Sequence, residues 1–204
     1  MCEGSAALDL DALRWPDSKL ARDAIAEAHD TLTPHIVEHS VRTWVFGKLL
    51  AQVAGIPVDD ELTFVACMLH DTHLEHPTPG RCFAVVGGEH AERFVLDRDV
   101  PADRAAAIGA AIGGHITVGA AEDLADPAGF VSAGAFIDIT GYGLHAIDPE
   151  WVDQLHHRHP RHDLRQHLLT AWAAERRAVP TGRAHWLTRY GAFPLLLRAA
   201  PYPE

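Results

Sequence analysis

The sequence predicts an all-α protein, a bundle of helices. Three observations carry that expectation. Apolar residues recur at helical spacing in segment after segment of the 204 residues. Several of these segments open on proline behind a capping residue, and one closes at glycine. No alternating run reads as a strand, and no repeat or low-complexity tract interrupts the helical pattern.

The first 32 residues form an extension expected to be helical and packed on the core. In "PHIVEHSVRTWVFGKLLAQVAG", Thr33 and Pro34 supply the start, Gly55 the stop, and Ile36, Val37, Val41, Trp44, Val45 and Leu49 the apolar face. "DDELTFVACMLHD" begins with acids suited to a helix N-terminus and is then apolar all round, the mark of a helix in the middle of a bundle. The loop "THLEHPTPGRC" follows, with two prolines and a glycine. A helix is expected from about Ala84 to Asp97, then "VPADRAAAIGAAIGGHITVG", then the small-residue helix "DPAGFVSAGAFIDITGYGLH". "DPEWVDQLHHRH" and "DLRQHLLTAWAAERRAV" complete the set at Ala178. The last stretch, 179–204, is proline-rich and is left as a C-terminal extension.

Composition narrows the function classes. A formal net charge of −11 argues against a nucleic-acid binder, since neutralising phosphates needs a basic face. Three cysteines without a CxxC support neither a disulfide framework nor a thiolate metal site. "MCEGSAALDLDALRW" lacks a basic start and an apolar run, so no signal peptide is expected. No run approaches a membrane span, so no membrane partner is expected and the protein reads as cytoplasmic.

Histidine is the outlier, at 15 residues. His39 has Ile36, Thr43 and Phe46 as its helical neighbours and so faces the apolar side. His70 and Asp71 end the most apolar helix. Asp138 sits in "FVSAGAFIDITGYG", where Gly134, Ala135 and Gly141 permit close approach of another backbone. Taken singly, each is more often a hydrogen-bonded core residue or a helix cap than a ligand. Together, two aspartates and two histidines in one core call for a shared partner. A divalent metal is one, because isolated buried carboxylates cost several kcal/mol and this donor set suits zinc, iron, manganese or nickel. "LHHRHPRH", with His156, His157, His159 and His162, is read as a solvated turn.

The ordered pattern of His, a His-Asp doublet 31 residues on, and a distant Asp resembles the HD-domain superfamily of metal-dependent hydrolases. "HSVRTWVFGKLLAQVAGIPVDDELTFVACMLHDTHL", "RCFAVVGGEHAERFV", "AIGAAIGGHITVG" and "VSAGAFIDITGYGLHAIDPEWVDQLHHRHPR" are similar to its cyanamide hydratase-like branch. The resemblance spans about 33–178, which it marks as the HD domain. It implies His39, His70, Asp71 and Asp138 as metal ligands and His115 as the histidine near the metal. Three departures from the branch, His73, Ala84 and His90, stand beside the pocket it implies.

The implied reaction adds metal-activated water to a nitrile carbon of a small molecule, with His115, and also His73, as candidate proton carriers and Asp71 at the centre. Zinc is the expected metal, with Fe, Mn, Ni and Co as alternatives. Thr72, Thr117, Phe83 and His90 are candidate pocket residues, although the threonines equally suit ordinary helix-end hydroxyls. Two other activities stay open. A phosphomonoesterase would draw on Arg42, Lys48 or Arg81 at the mouth, and a dinuclear iron oxygenase would draw on His90 and His115. The superfamily is also compatible with homo-oligomers.

Overall fold

The computed structural model describes residues 7–203, which place Cys2 outside the described part. Among those residues there are helices and turns but no strand. The helices are α1 Lys19–Thr31, α2 Pro34–Ala54, α3 Asp60–Leu69, α4 Phe83–Leu96 and α5 Ala102–Gly114. They continue with α6 Pro127–Thr140, α7 Pro149–Arg158, α8 Leu164–Ala178, α9 Arg183–Arg189 and α10 Phe193–Ala199. None is long and apolar enough to cross a membrane.

Local chemistry sets the ends. Ser18 caps α1 by accepting from the Ala21 amide, and Asp59 caps α3 by accepting from Leu62. Asp126 and Asp148 do the same for α6 and α7, each ahead of a proline in the first turn. Gly55 closes α2 in the left-handed region, at φ 67°. One start is built at long range: the Phe83 amide of α4 donates to the Glu175 carboxylate of α8, at 3.0 Å. Glu175 is fully buried, and burial raises its carboxyl above the ordinary value.

α3 lies at the centre, with Phe64, Val65, Ala66, Cys67, Met68 and Leu69 all buried. α1, α2, α5 and α6 pack around it. Two glycine contacts bring neighbouring helices close. A Cβ at Gly134 of α6 would collide with the Thr43 carbonyl of α2, so these backbones touch as the small residues suggest. A Cβ at Gly88 of α4 would collide with the Gly109 carbonyl of α5. The first contact puts Asp138 beside His39. The second draws α5, which ends at His115, against the pair α3–α4.

The extensions are part of this body. α1 packs on α3, and α10 packs on α6 and α8. The proline-rich tail thus holds two short helices that its composition did not announce. The "LHHRHPRH" stretch also departs from a solvated turn. His156 points inward, 3.9 Å from Asp138 Oδ1, and His159 Nδ1 is bonded to Glu38 at 2.9 Å.

Candidate metal centre

His70 is the C-cap of α3 and His115 the C-cap of α5, and the two are held in the same way. His70 Nδ1 donates to the Cys67 carbonyl at 2.7 Å, and His115 Nδ1 to the Ile112 carbonyl at 2.6 Å. Each imidazole bonds a carbonyl of the last turn three residues back; that of Ile112 also accepts the His115 amide. His39 lies inside α2, and its Nδ1 meets the Asp138 carboxylate at 2.6 Å. A carbonyl or carboxylate partner requires the proton on Nδ1. In the neutral form of each ring Nε2 is then left as an acceptor.

Those Nε2 atoms surround one carboxylate. Asp71 Oδ2 is 3.4 Å from His70 Nε2 and 3.8 Å from His39 Nε2, while Oδ1 is 3.7 Å from His115 Nε2. His39, His70, Asp71 and His115 are all nearly fully buried. His70 Nε2 has no hydrogen-bond partner at all. An acceptor buried without a donor is costly, and so is a carboxylate ringed by acceptors. A divalent cation removes both costs. The ligand atoms of His39, His70 and Asp71 fit one, lying within 4.8 Å of one another. Two imidazoles and one carboxylate are the ligand set of many catalytic zinc sites, with further positions open.

Asp138 occupies a different place from the ligand that the resemblance implies. Arg42 Nε reaches its Oδ1 at 2.7 Å and Arg42 Nη2 its Oδ2 at 3.0 Å. Arg161 Nη1 adds a contact to Oδ1 at 3.3 Å, and His39 takes Oδ2. These four contacts use the acceptor capacity of a carboxylate. Asp138 therefore stands behind His39 and fixes its ring, as the carboxylate partners of metal-ligating histidines do. Burial alone would raise its carboxyl, but Arg42, His39 and Arg161 hold it well below the usual range.

The remaining candidates separate. Phe83 lines the cavity described below, its ring 5.7 Å from that of His115, and Thr117 lines it too. Thr72 donates its hydroxyl to the Leu69 carbonyl at 3.0 Å and is a helix-end hydroxyl. His90 does not line the cavity: its Nε2 is bonded to Glu27 of α1 at 2.9 Å. His73 sits beside His90, ring to ring at 5.4 Å, and is likewise away from the cavity. Of the basic residues, Arg42 is buried on Asp138, Lys48 pairs with Asp60, and Arg81 pairs with Glu89. None of the three lines the cavity. Arg161 and Tyr202, which donates its hydroxyl to the Ile137 carbonyl at 2.6 Å, are supporting residues that sequence reasoning missed, and Arg42, read there as a cation at the mouth, is buried on Asp138 instead.

The centre lines part of a cavity of about 660 Å3. Its walls are apolar, from Phe83, Ile116, Phe136, Leu168, Trp172 and Phe193 among others.

No protein-family model matches the chain, and no curated protein matches it.

Two predictions follow from the placement of the histidines. His90→Ala should leave metal content unchanged and alter stability by less than about 1 kcal/mol, because its partly exposed pair with Glu27 is of the weak kind. Metal analysis and urea unfolding of that variant check both statements. The second concerns pH. Burial pushes His115 down to about 4, helped by His70, and burial likewise brings His156 to about 4. In the metal-free protein the unfolded chain therefore binds more protons than the folded one below about pH 6.5. Stability should be full above that pH and should fall as pH drops toward 4, by on the order of 3 kcal/mol for each histidine. Urea unfolding of chelator-treated protein at stepped pH reads this directly.

Proposed function

We propose that the chain is a metal-dependent hydratase or hydrolase of the HD-domain, cyanamide hydratase-like type, acting on a small molecule with a nitrile-type carbon. The observation that carries the reading is the ring of three Nδ1-anchored imidazoles whose Nε2 atoms face Asp71 in an apolar cavity. His39, His70 and Asp71 are the residues that would hold the ion, and zinc suits them best. A divalent metal there supplies Lewis acidity and an acidified water.

The chain's own groups supply the rest. In nitrile hydration a water oxygen bonds to carbon as one of its O–H bonds breaks, one C–N π pair moves to nitrogen, which takes that proton, and the resulting imidic acid becomes the amide by passing its hydroxyl proton to nitrogen. His115 Nε2 is a neutral acceptor on the far side of the Asp71 carboxylate, placed to accept the proton from water and return it to nitrogen. Phe83 and Ile112 fix the ring, one by packing and one by its carbonyl. Asp138 and Arg42 position His39. The apolar walls offer few hydrogen-bonding groups beyond the centre.

Nothing in the lining favours the phosphomonoesterase or dinuclear iron readings. No lysine or arginine lines the cavity, Glu122 does, and His90 is held by Glu27. The test is amide or urea formation from nitriles by zinc-loaded protein, lost on chelation and restored by metal. His115→Ala should keep its metal and lose activity by roughly a hundredfold or more, as removal of a general acid–base does. Absence of hydration for every nitrile tried would overturn the reading. Loss of metal in His115→Ala would make His115 a ligand instead.

A further inference from the structure

The size and lining of the cavity hold information that the metal centre alone does not. At about 660 Å3 it falls among sites that enclose a drug-sized ligand, roughly 300–1,000 Å3. A molecule as small as cyanamide would leave most of it empty. Its metal-facing groups, His39, His70, Asp71 and His115, lie together. The rest is mostly apolar. Phe83 and Trp172 lie on one side, with ring centroids 6.4 Å apart, and Phe193 packs on Trp172 at 4.2 Å. The charges in the lining are negative: Asp71 and Glu122, with no lysine or arginine. Apart from an ion bound at His39, His70 and Asp71, an anionic group would find no cation in the lining among the described residues; Arg183 sits behind Thr117, on the Gly113 carbonyl.

The C-terminal extension takes part in this wall. Leu187 of α9 and Phe193 and Leu196 of α10 line the cavity, and Arg183 at the start of α9 bonds the Gly113 carbonyl and Thr117 beside it. Val118 and Tyr142, also in the lining, are among the most exposed apolar residues, at 84 % and 73 %. The route inward is thus apolar from the surface to the metal-facing groups.

We propose that the cavity takes an uncharged substrate with an apolar body, aromatic or branched aliphatic, seated against Trp172, Phe193 and Leu196 with its reacting end at His39, His70 and Asp71. Which end reacts rests on the function proposed above, while the seating of the apolar body rests on the walls alone. Phe193 and Leu196 then determine specificity from outside the 33–178 region.

The experiment uses the zinc-loaded full chain with two nitriles, cyanamide and phenylacetonitrile, and one unreactive probe, phenylacetamide, whose binding is followed by calorimetry. Phenylacetonitrile should exceed cyanamide in kcat/KM by at least about tenfold, since each buried methylene equivalent favours the larger molecule. Phenylacetamide should bind, and Phe193→Ala should weaken it about fivefold or more with metal content unchanged. Should that variant fail to fold, Leu196→Ala, at a more exposed position, carries the same expectation. Preference for cyanamide, or no binding of phenylacetamide, overturns the proposal. So does tighter binding of phenyl phosphate than of phenylacetamide. Binding of phenylacetamide that is sensitive to Phe193, with neither nitrile hydrated, supports the apolar seat and overturns the nitrile chemistry.

Discussion

Asp71→Ala is expected to reduce bound zinc from about one ion per chain to background, an affinity loss of more than the 10–100-fold typical of residues that only support ligands. The carboxylate is the one anionic group facing the three Nε2 atoms, at 3.4, 3.7 and 3.8 Å. Without it the ion would meet neutral imidazoles only. The stability effect should have opposite signs in the two states. In metal-free protein the variant should be as stable as the wild type or more so, because a buried carboxylate without donors has been removed. With zinc at a thousandfold over its Kd, the wild type should gain about 4 kcal/mol that the variant does not. Urea unfolding with and without chelator, beside metal analysis, separates these effects. A metal-free variant much less stable than metal-free wild type would show that Asp71 serves the fold and not an ion.

Arg42→Met is expected to cost about 3–5 kcal/mol, the range for breaking a buried ion pair from one side. Arg42 is fully buried and makes four bonds: two to Asp138, one to the His159 carbonyl at 3.0 Å and one to the Pro160 carbonyl at 2.9 Å. Its loss leaves the Asp138 charge with a weaker set of partners and two carbonyls without a donor. Arg42→Lys should not rescue it, because an ammonium cannot reproduce the two-pronged contact. Adding Asp138→Asn to Arg42→Met should recover part of the loss by removing the stranded charge. Zinc affinity should fall about 10–100-fold in Arg42→Met, since His39 loses the group that holds its carboxylate partner in place. Unfolding and metal titration of the three variants test each step.

The helical class was legible because its signals are local. Pro34 and Gly55 bracket α2, and acids at 59–61 open α3, from local signals, whereas Thr33 does not cap α2 with its side chain and instead bonds Glu75. The meeting of His39, His70 and Asp71 was legible because each is polar on an otherwise apolar helix, and burial forces such groups to share a partner. What was not legible depended on pairs distant in sequence. Arg42 lies one turn from His39 on the same face, yet arginine is rarely buried, and its partner Asp138 lies 96 residues away. That one-turn spacing was the signal available. His90 has Val86 and Phe94 at helical spacing, a pattern that points it toward the core. The helix it faces is α1, whose Glu27 satisfies it, and nothing local to His90 announces Glu27. Helices α9 and α10 are seven residues each and too short for a clear period, so the wall they form could not be anticipated.

The most direct test of the account is the metal content of untagged full-length protein after zinc titration and removal of excess ion. The geometry of His39, His70 and Asp71 predicts about one tightly held zinc per chain. Uptake of none would contradict the account, and so would two ions per chain, which would need ligands that the cavity does not offer.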